Sequence, residues 1–163
     1  PAILFNTGPG ELFVVRNVAN LVPPYEPDAS YHGTSAALEF AVKGLEVEHV
    51  IIIGHAHCGG VAAMVRKQEG GKAGGKFITA WTDLLREAHE RALAENPGLE
   101  GDALLRASER QAVRLSLDNL TTFPFVRKAV ASGNLSLHGW YLNIFEGVLE
   151  AWNPVTQSFE RAS

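Results

Sequence analysis

Val47-Glu48-His49-Val50-Ile51-Ile52-Ile53, followed by Gly54-His55-Ala56-His57-Cys58-Gly59-Gly60, is the stretch whose reading decides the fold. The run over 47–53 is rich in β-branched residues, the pattern of a strand buried on both faces. It stops at a bend flanked by glycines, and from Val61 onward the pattern resumes as a helix. Just upstream, Ala37, Phe40, Ala41 and Leu45 recur at helical spacing, with Glu39 and Lys43 one turn apart. His32-Gly33-Thr34-Ser35 predicts the start of that helix with a hydroxyl residue at the cap, and Gly44 lies near its end. Strands alternating with helices predict an α/β fold, with a central, mainly parallel β-sheet flanked by helices. In open sheets of this kind ligands collect beyond the carboxyl ends of the strands, which is where the His/Cys bend falls.

Working outward, Ile3-Leu4-Phe5 and Leu12-Phe13-Val14-Val15 read as two short strands separated by the turn signal Thr7-Gly8-Pro9-Gly10. Pro23-Pro24 forces an extended loop that runs on through Tyr25 to Tyr31. Beyond the bend, Gly70 to Gly75 reads as a surface loop. Phe77, Ile78, Trp81, Leu84, Leu85 and Ala88 form one helical stripe that ends at Asn96-Pro97-Gly98. A second helix is expected from about Asp102 to Leu120, with Leu104, Leu105, Ala112 and Leu115 facing inward. Phe123-Pro124 breaks it, Val126 to Ala131 adds a short helix, and Leu135 to Trp152 alternates like strands around a Glu146-Gly147 hairpin turn. Neither an internal repeat nor a linker is visible, so a single domain over 1–163 is expected.

Bulk properties narrow the function. With 46% hydrophobic and 20% charged residues, the chain has the composition of a globular domain with a real core. A formal net charge of −4 and the lack of any Lys/Arg cluster give no basic field for nucleic acid. No apolar run approaches a membrane-spanning length, so no membrane partner is expected. Cys58 is the only cysteine, which excludes an internal disulfide framework and suits a reducing compartment such as the cytoplasm. The chain opens Pro1-Ala2-Ile3-Leu4-Phe5 without an initiator Met, and this apolar start predicts that a preceding segment was removed.

His55 and Cys58 are the residues that could carry chemistry. Imidazole nitrogen and thiolate sulfur are both good Zn²⁺ ligands and commonly share one tetrahedral site. His-x-x-Cys alone is a weak signal, and on spacing alone a buried thiol beside a surface histidine is the plainer reading. A zinc site needs at least three protein ligands. There is no second cysteine, His57 should point away from its neighbours, and His32, His49, His89 and His138 are scattered. Serine chemistry lacks a Gly-x-Ser-x-Gly elbow, and no phosphate-binding glycine fingerprint occurs. A catalytic Cys58 thiolate paired with His55 or His57 remains an open alternative.

Longer motifs resolve the choice. Gly10-Glu11-Leu12-Phe13-Val14-Val15-Arg16-Asn17-Val18-Ala19-Asn20, Tyr31-His32-Gly33-Thr34-Ser35-Ala36-Ala37-Leu38-Glu39-Phe40-Ala41 and Gly54-His55-Ala56-His57-Cys58-Gly59-Gly60 resemble motifs of the β-class carbonic anhydrases. So do Ser116-Leu117-Asp118-Asn119-Leu120 and Leu137-His138-Gly139-Trp140, in the family order and across nearly the whole chain. The resemblance implies a zinc-dependent enzyme that reversibly hydrates carbon dioxide to bicarbonate and a proton, built as a homodimer or a higher homo-oligomer. By position it implies that His55 and Cys58 are zinc ligands, that Phe13, Val18 and Tyr31 line the carbon dioxide pocket, and that the Gly59 backbone lies beside the substrate. Family members carry Cys-Ser-Asp-Ser-Arg just before the segment matching Pro1, supplying another zinc cysteine and an Asp–Arg pair. Neither that stretch nor the family's N-terminal helical arm is found in these residues. The resemblance therefore describes the intact parent enzyme. The alternatives are a non-catalytic metal-binding or interaction module of the same fold, and a hydrolase of a carbon dioxide analogue such as carbon disulfide.

Overall fold

A computed structural model of the chain describes residues 2–28, 30–72 and 74–162. Ala29 of the expected 25–31 loop and Ala73 of the expected 70–75 loop lie outside the described residues. The elements run α1 (Ala2–Phe5), a 3₁₀ turn (Val18–Asn20), α2 (Gly33–Glu39) continued by a π turn (Phe40–Gly44), β1 (His49–His55) and α3 (Gly59–Gln68). Then come α4 (Lys76–Thr82), a 3₁₀ turn (Asp83–Leu85), α5 (Arg86–Glu95), α6 (Gly101–Leu120), α7 (Pro124–Ala131), β2 (Ser136–Asn143), β3 (Val148–Asn153) and β4 (Ser158–Arg161).

The four strands form one sheet in the order β1-β2-β3-β4. β1 and β2 are parallel, with Ile53 opposite Trp140 and His55 opposite Leu142. β2–β3 and β3–β4 are antiparallel, so the sheet is mixed and its parallel part among the described residues is the β1–β2 pair. The α/β class holds. The short C-terminal loops permit only hairpins, whereas β1 and β2 are joined through five helices.

α6 is the central pillar. One of its faces, with Ala112 and Leu115, packs with Cys58, Val61, Met64, Leu85 and Ala88 in one apolar cluster. Its other face, with Val113 and Leu120, joins Ile52, Phe123, Val126 and Leu135 in a second. Leu104 is buried and Leu105 packs at the margin of the first cluster, as the helical spacing predicts. The close approach of α6 to the sheet depends on glycine. A Cβ on Gly54 of β1 would lie 2.5 Å from Val113, and one on Gly139 of β2 would lie 2.6 Å from Leu117.

Four local expectations change. Ile3-Leu4-Phe5 lies in a single helical turn, with Phe5 stacked on Trp140 at 5.4 Å, and Leu12 to Val15 run as irregular backbone. A strand needs a hydrogen-bonded neighbour, and neither segment pairs with one here. α2 starts at Gly33 with His32 at the cap position and no side-chain cap, because the His32 imidazole engages Asp28 at 2.6 Å instead. The 77–88 stripe is broken by the 3₁₀ turn, where the Thr82 hydroxyl bonds back to the Ile78 carbonyl at 2.8 Å, a contact that bends helices. Phe77 is consequently exposed.

Candidate functional site

The bend after β1 is held from three sides. β1 delivers His55 at its carboxyl end, and the Ala56 N–H donates to the Leu142 carbonyl at 2.9 Å, extending the pairing with β2. His57 takes a left-handed conformation, φ 57°, which turns the chain sharply into α3. Its ring stands edge-on to Phe145 at 4.8 Å, in the turn after β2. Cys58 is the cap residue of α3 and is only 4% exposed.

Those constraints make His55 and Cys58 converge. Their side chains lie close enough to shift one another's protonation. The His55 Nδ1 donates to the Ala56 carbonyl at 2.8 Å, which fixes the ring and directs its other nitrogen toward sulfur. The contact with the Cys58 sulfur, against the cost of burial, pushes the His55 pKa up to about 9. Burial raises the Cys58 thiol, but the imidazole and the backbone N–H groups of Val61 and Gly60 outweigh it and leave the thiol below its ordinary value. The site thus shifts Cys58 toward the thiolate, the form that binds metal.

The 17–22 segment forms one wall. Val18 and Ala19 cover the start of α3, where a Cβ on Gly60 would come 2.7 Å from Val18 and 3.0 Å from Ala19. The Trp81 indole N–H donates to the Val18 carbonyl at 2.8 Å. Asn17 brackets Leu21 through both its backbone groups, and Ser116 and Asn119 of α6 bond the backbone of Asn20 and Val22. Two of the motifs read from the sequence are therefore physical partners, with the second pinning the first.

Gly59 follows Cys58 directly and the space over it is open, while Val18 lies against Gly60, one residue further on. Phe13 rests on the Phe40 ring at 5.8 Å and stays half-exposed. Tyr31 is fully exposed and is not brought to the pair. Among the described residues no group of three or more His, Cys, Asp or Glu side chains comes together to hold a metal. The pair suits zinc in donor type, as two positions of a tetrahedral set.

Glu109 escaped the sequence reading. It is 2% exposed on the inner face of α6, and its Oε1 accepts the Cys58 N–H at 2.8 Å. A signal was present, since Glu109 lies four residues after Leu105 and three before Ala112, on the apolar stripe itself.

Comparison with known proteins agrees with this geometry. A family model described as carbonic anhydrase matches residues 1–149. The chloroplastic β carbonic anhydrase 5 of Arabidopsis thaliana is 38% identical over 152 residues, which are 93% of this chain and 50% of that protein. The chain thus spans about half the length of that curated relative. The structure of the β-carbonic anhydrase CcaA matches with a TM-score of 0.86 and 29% identity, covering 99% of this chain and 77% of that one. A tetrameric β-carbonic anhydrase of the ascomycete Sordaria macrospora matches with a TM-score of 0.79 and 27% identity, covering 92% and 72%. With a parallel strand, buried at Ile52 and Gly54, delivering a His-x-x-Cys bend onto a helix start, and with these relatives, the chain belongs to the β-carbonic anhydrase family.

Proposed function

We propose that this chain carries part of a zinc site for the reversible hydration of carbon dioxide to bicarbonate and a proton. The observation that carries the reading is that the bend after β1 brings His55, at the strand's carboxyl end, close to Cys58, at the cap of α3. These two residues would hold zinc, with the remaining donors coming from a Cys-Ser-Asp-Ser-Arg segment of the kind the family resemblance implies. Carbonic anhydrase is itself the standard example of zinc acidifying a bound water, and zinc would supply that chemistry here.

The residues of the chain have their own tasks. His55 is oriented by the Ala56 carbonyl, and His55 together with the backbone N–H groups at the start of α3 lowers the Cys58 thiol. Val18 and Gly59 leave an apolar, open approach suited to a small uncharged substrate. Phe13 and Tyr31 would complete the pocket once another subunit covers them. The exposed apolar side chains of Phe13, Val14, Val15, Val18 and Tyr31 support assembly as a homodimer or a higher homo-oligomer. A thiolate ligand must stay reduced, which supports a reducing compartment, the cytoplasm on the sequence reading.

The test compares two proteins, the present chain and one with a Cys-Ser-Asp-Ser-Arg segment joined ahead of Pro1. The present chain should lose zinc on dialysis against a mild chelator. The extended chain should keep about one zinc per subunit and hydrate carbon dioxide in a stopped-flow pH assay. Stoichiometric zinc in the extended chain with no rate above buffer would defeat the assignment.

A further inference from the structure

The Glu109 carboxylate is buried, lies in α6, and belongs to no step of the proposed reaction. A buried carboxylate is costly unless its oxygens are well supplied with donors. Three donors converge on this one. The Cys58 backbone N–H reaches Oε1 at 2.8 Å, the Tyr141 hydroxyl reaches Oε2 at 2.8 Å, and Arg106 donates from Nη2 to Oε1 at 2.8 Å, with its Nε in ion-pair contact with Oε2. Only an acceptor on both oxygens fits such a set, which explains a carboxylate rather than an amide. The three donors belong to different elements: the bend, β2 and α6 itself.

We propose that Glu109 is a positioning residue that ties the Cys58 backbone to α6 and β2, and so holds the His55–Cys58 pair converged. Without that bond the Cys58 N–H would be buried and unmatched at the point where the bend enters α3. The left-handed His57 just before it gives the bend no help from local sequence, so the restraint has to come from the tertiary structure. Tyr141 acts behind Glu109. It is itself fully buried, and burial together with the Glu109 carboxylate pushes its phenol upward, so its hydroxyl keeps its proton and donates. The metal-site reading gives this restraint its purpose, but the restraint can be measured without metal.

Cys58 is the only thiol in the chain, so alkylation by iodoacetamide, followed across pH so that rates are compared per thiolate, reports access to the bend. In the metal-free full chain, Glu109→Ala should speed alkylation roughly tenfold or more, the size expected when a buried polar group loses its partner. Glu109→Gln keeps an oxygen for the Cys58 N–H while leaving Arg106 uncompensated. It should lower thermal stability yet alkylate within about threefold of wild type. Tyr141→Phe, which removes one anchor and no part of the bend, should give an intermediate acceleration and serves if the alanine variant does not fold. Leu120→Ala, about three turns further along α6 and in the second apolar cluster, should lower stability without touching the bend. Alkylation of Glu109→Ala, or of Tyr141→Phe in its place, at the wild-type rate or no faster than Leu120→Ala would overturn the assignment. Because no metal is added, a failure of the zinc-retention assay leaves this outcome unaffected.

Discussion

The bend at 54–60 and the stretch from Ile3 to Tyr31 are both loops next to the candidate site, yet they are built in opposite ways. Almost every polar group of the bend has a partner: Ala56 on β2, His55 on its neighbouring carbonyl, Cys58 on Glu109. The N-terminal stretch takes most of its hydrogen bonds from the rest of the fold over residues 18–25, from Trp81, Ser116, Asn119 and Thr122. Before that, Leu12, Phe13, Val14 and Val15 hold large apolar side chains half in solvent. A bend that must converge two ligands is over-determined from inside the subunit. A wall that awaits a cover is left apolar and unpaired.

The comparison breaks most directly through stability. Leu120→Ala removes a fully buried side chain between α6 and α7, and urea unfolding should show a loss of about 2–5 kcal/mol. Val15→Ala, in the half-exposed stretch, should cost less than about 1 kcal/mol in the same assay. Equal losses would erase the contrast. Gly54→Ala tests the bend's foundation. Its Cβ would meet Val113 at 2.5 Å and the Asn20 side chain at 3.3 Å, and overpacking of this kind costs about 1–3 kcal/mol. Since Asn20 belongs to the anchored wall, the same substitution should loosen both regions.

A smaller effect is set by pH. Burial holds His89 below the ordinary histidine value. Burial and the nearby His49 do the same to His138. The unfolded chain therefore takes up protons that the folded chain resists. Their contribution to stability is complete above about pH 6.5 and is lost as pH falls below it. His55 is shifted the other way, so its contribution is constant in that acid range and declines only as pH rises toward about 9. Thermal melts from pH ~7 down to ~5 should show falling stability, with a shallower slope in His138→Gln. The smallest effect on the fold comes from Tyr31→Ala, within about 0.5 kcal/mol because the ring touches nothing in the subunit. In the assembled, zinc-loaded enzyme the same change should lower carbon dioxide hydration, and an unchanged rate would remove Tyr31 from the pocket.

Much of this was legible in the chain itself. The β-branched run, the bend and α6 are local patterns, and their bounds fall within a few residues of expectation. β4 was missed because Ser158 to Arg161 is too short and polar to read as a strand, and only its pairing with β3 makes it one. Leu12 to Val15 failed in the opposite sense, with the propensity of a strand and no neighbour. Phe13 and Tyr31 were named from the family motif, and their exposure in the isolated subunit could not be inferred from spacing.

Sequence alone determined that a strand ends in a His-x-x-Cys bend and a helix, because β-branched runs and flanking glycines act over a few residues; the expected burial on both faces gave way to an edge strand buried at Ile52 and Gly54. Only tertiary structure decided that the two side chains meet and that Glu109, 51 positions further on, lies beneath Cys58. It likewise decided which apolar segments find a sheet to join. Partners distant along the chain leave no local trace, since their hydrogen bonds exist only once α6 and β2 have packed.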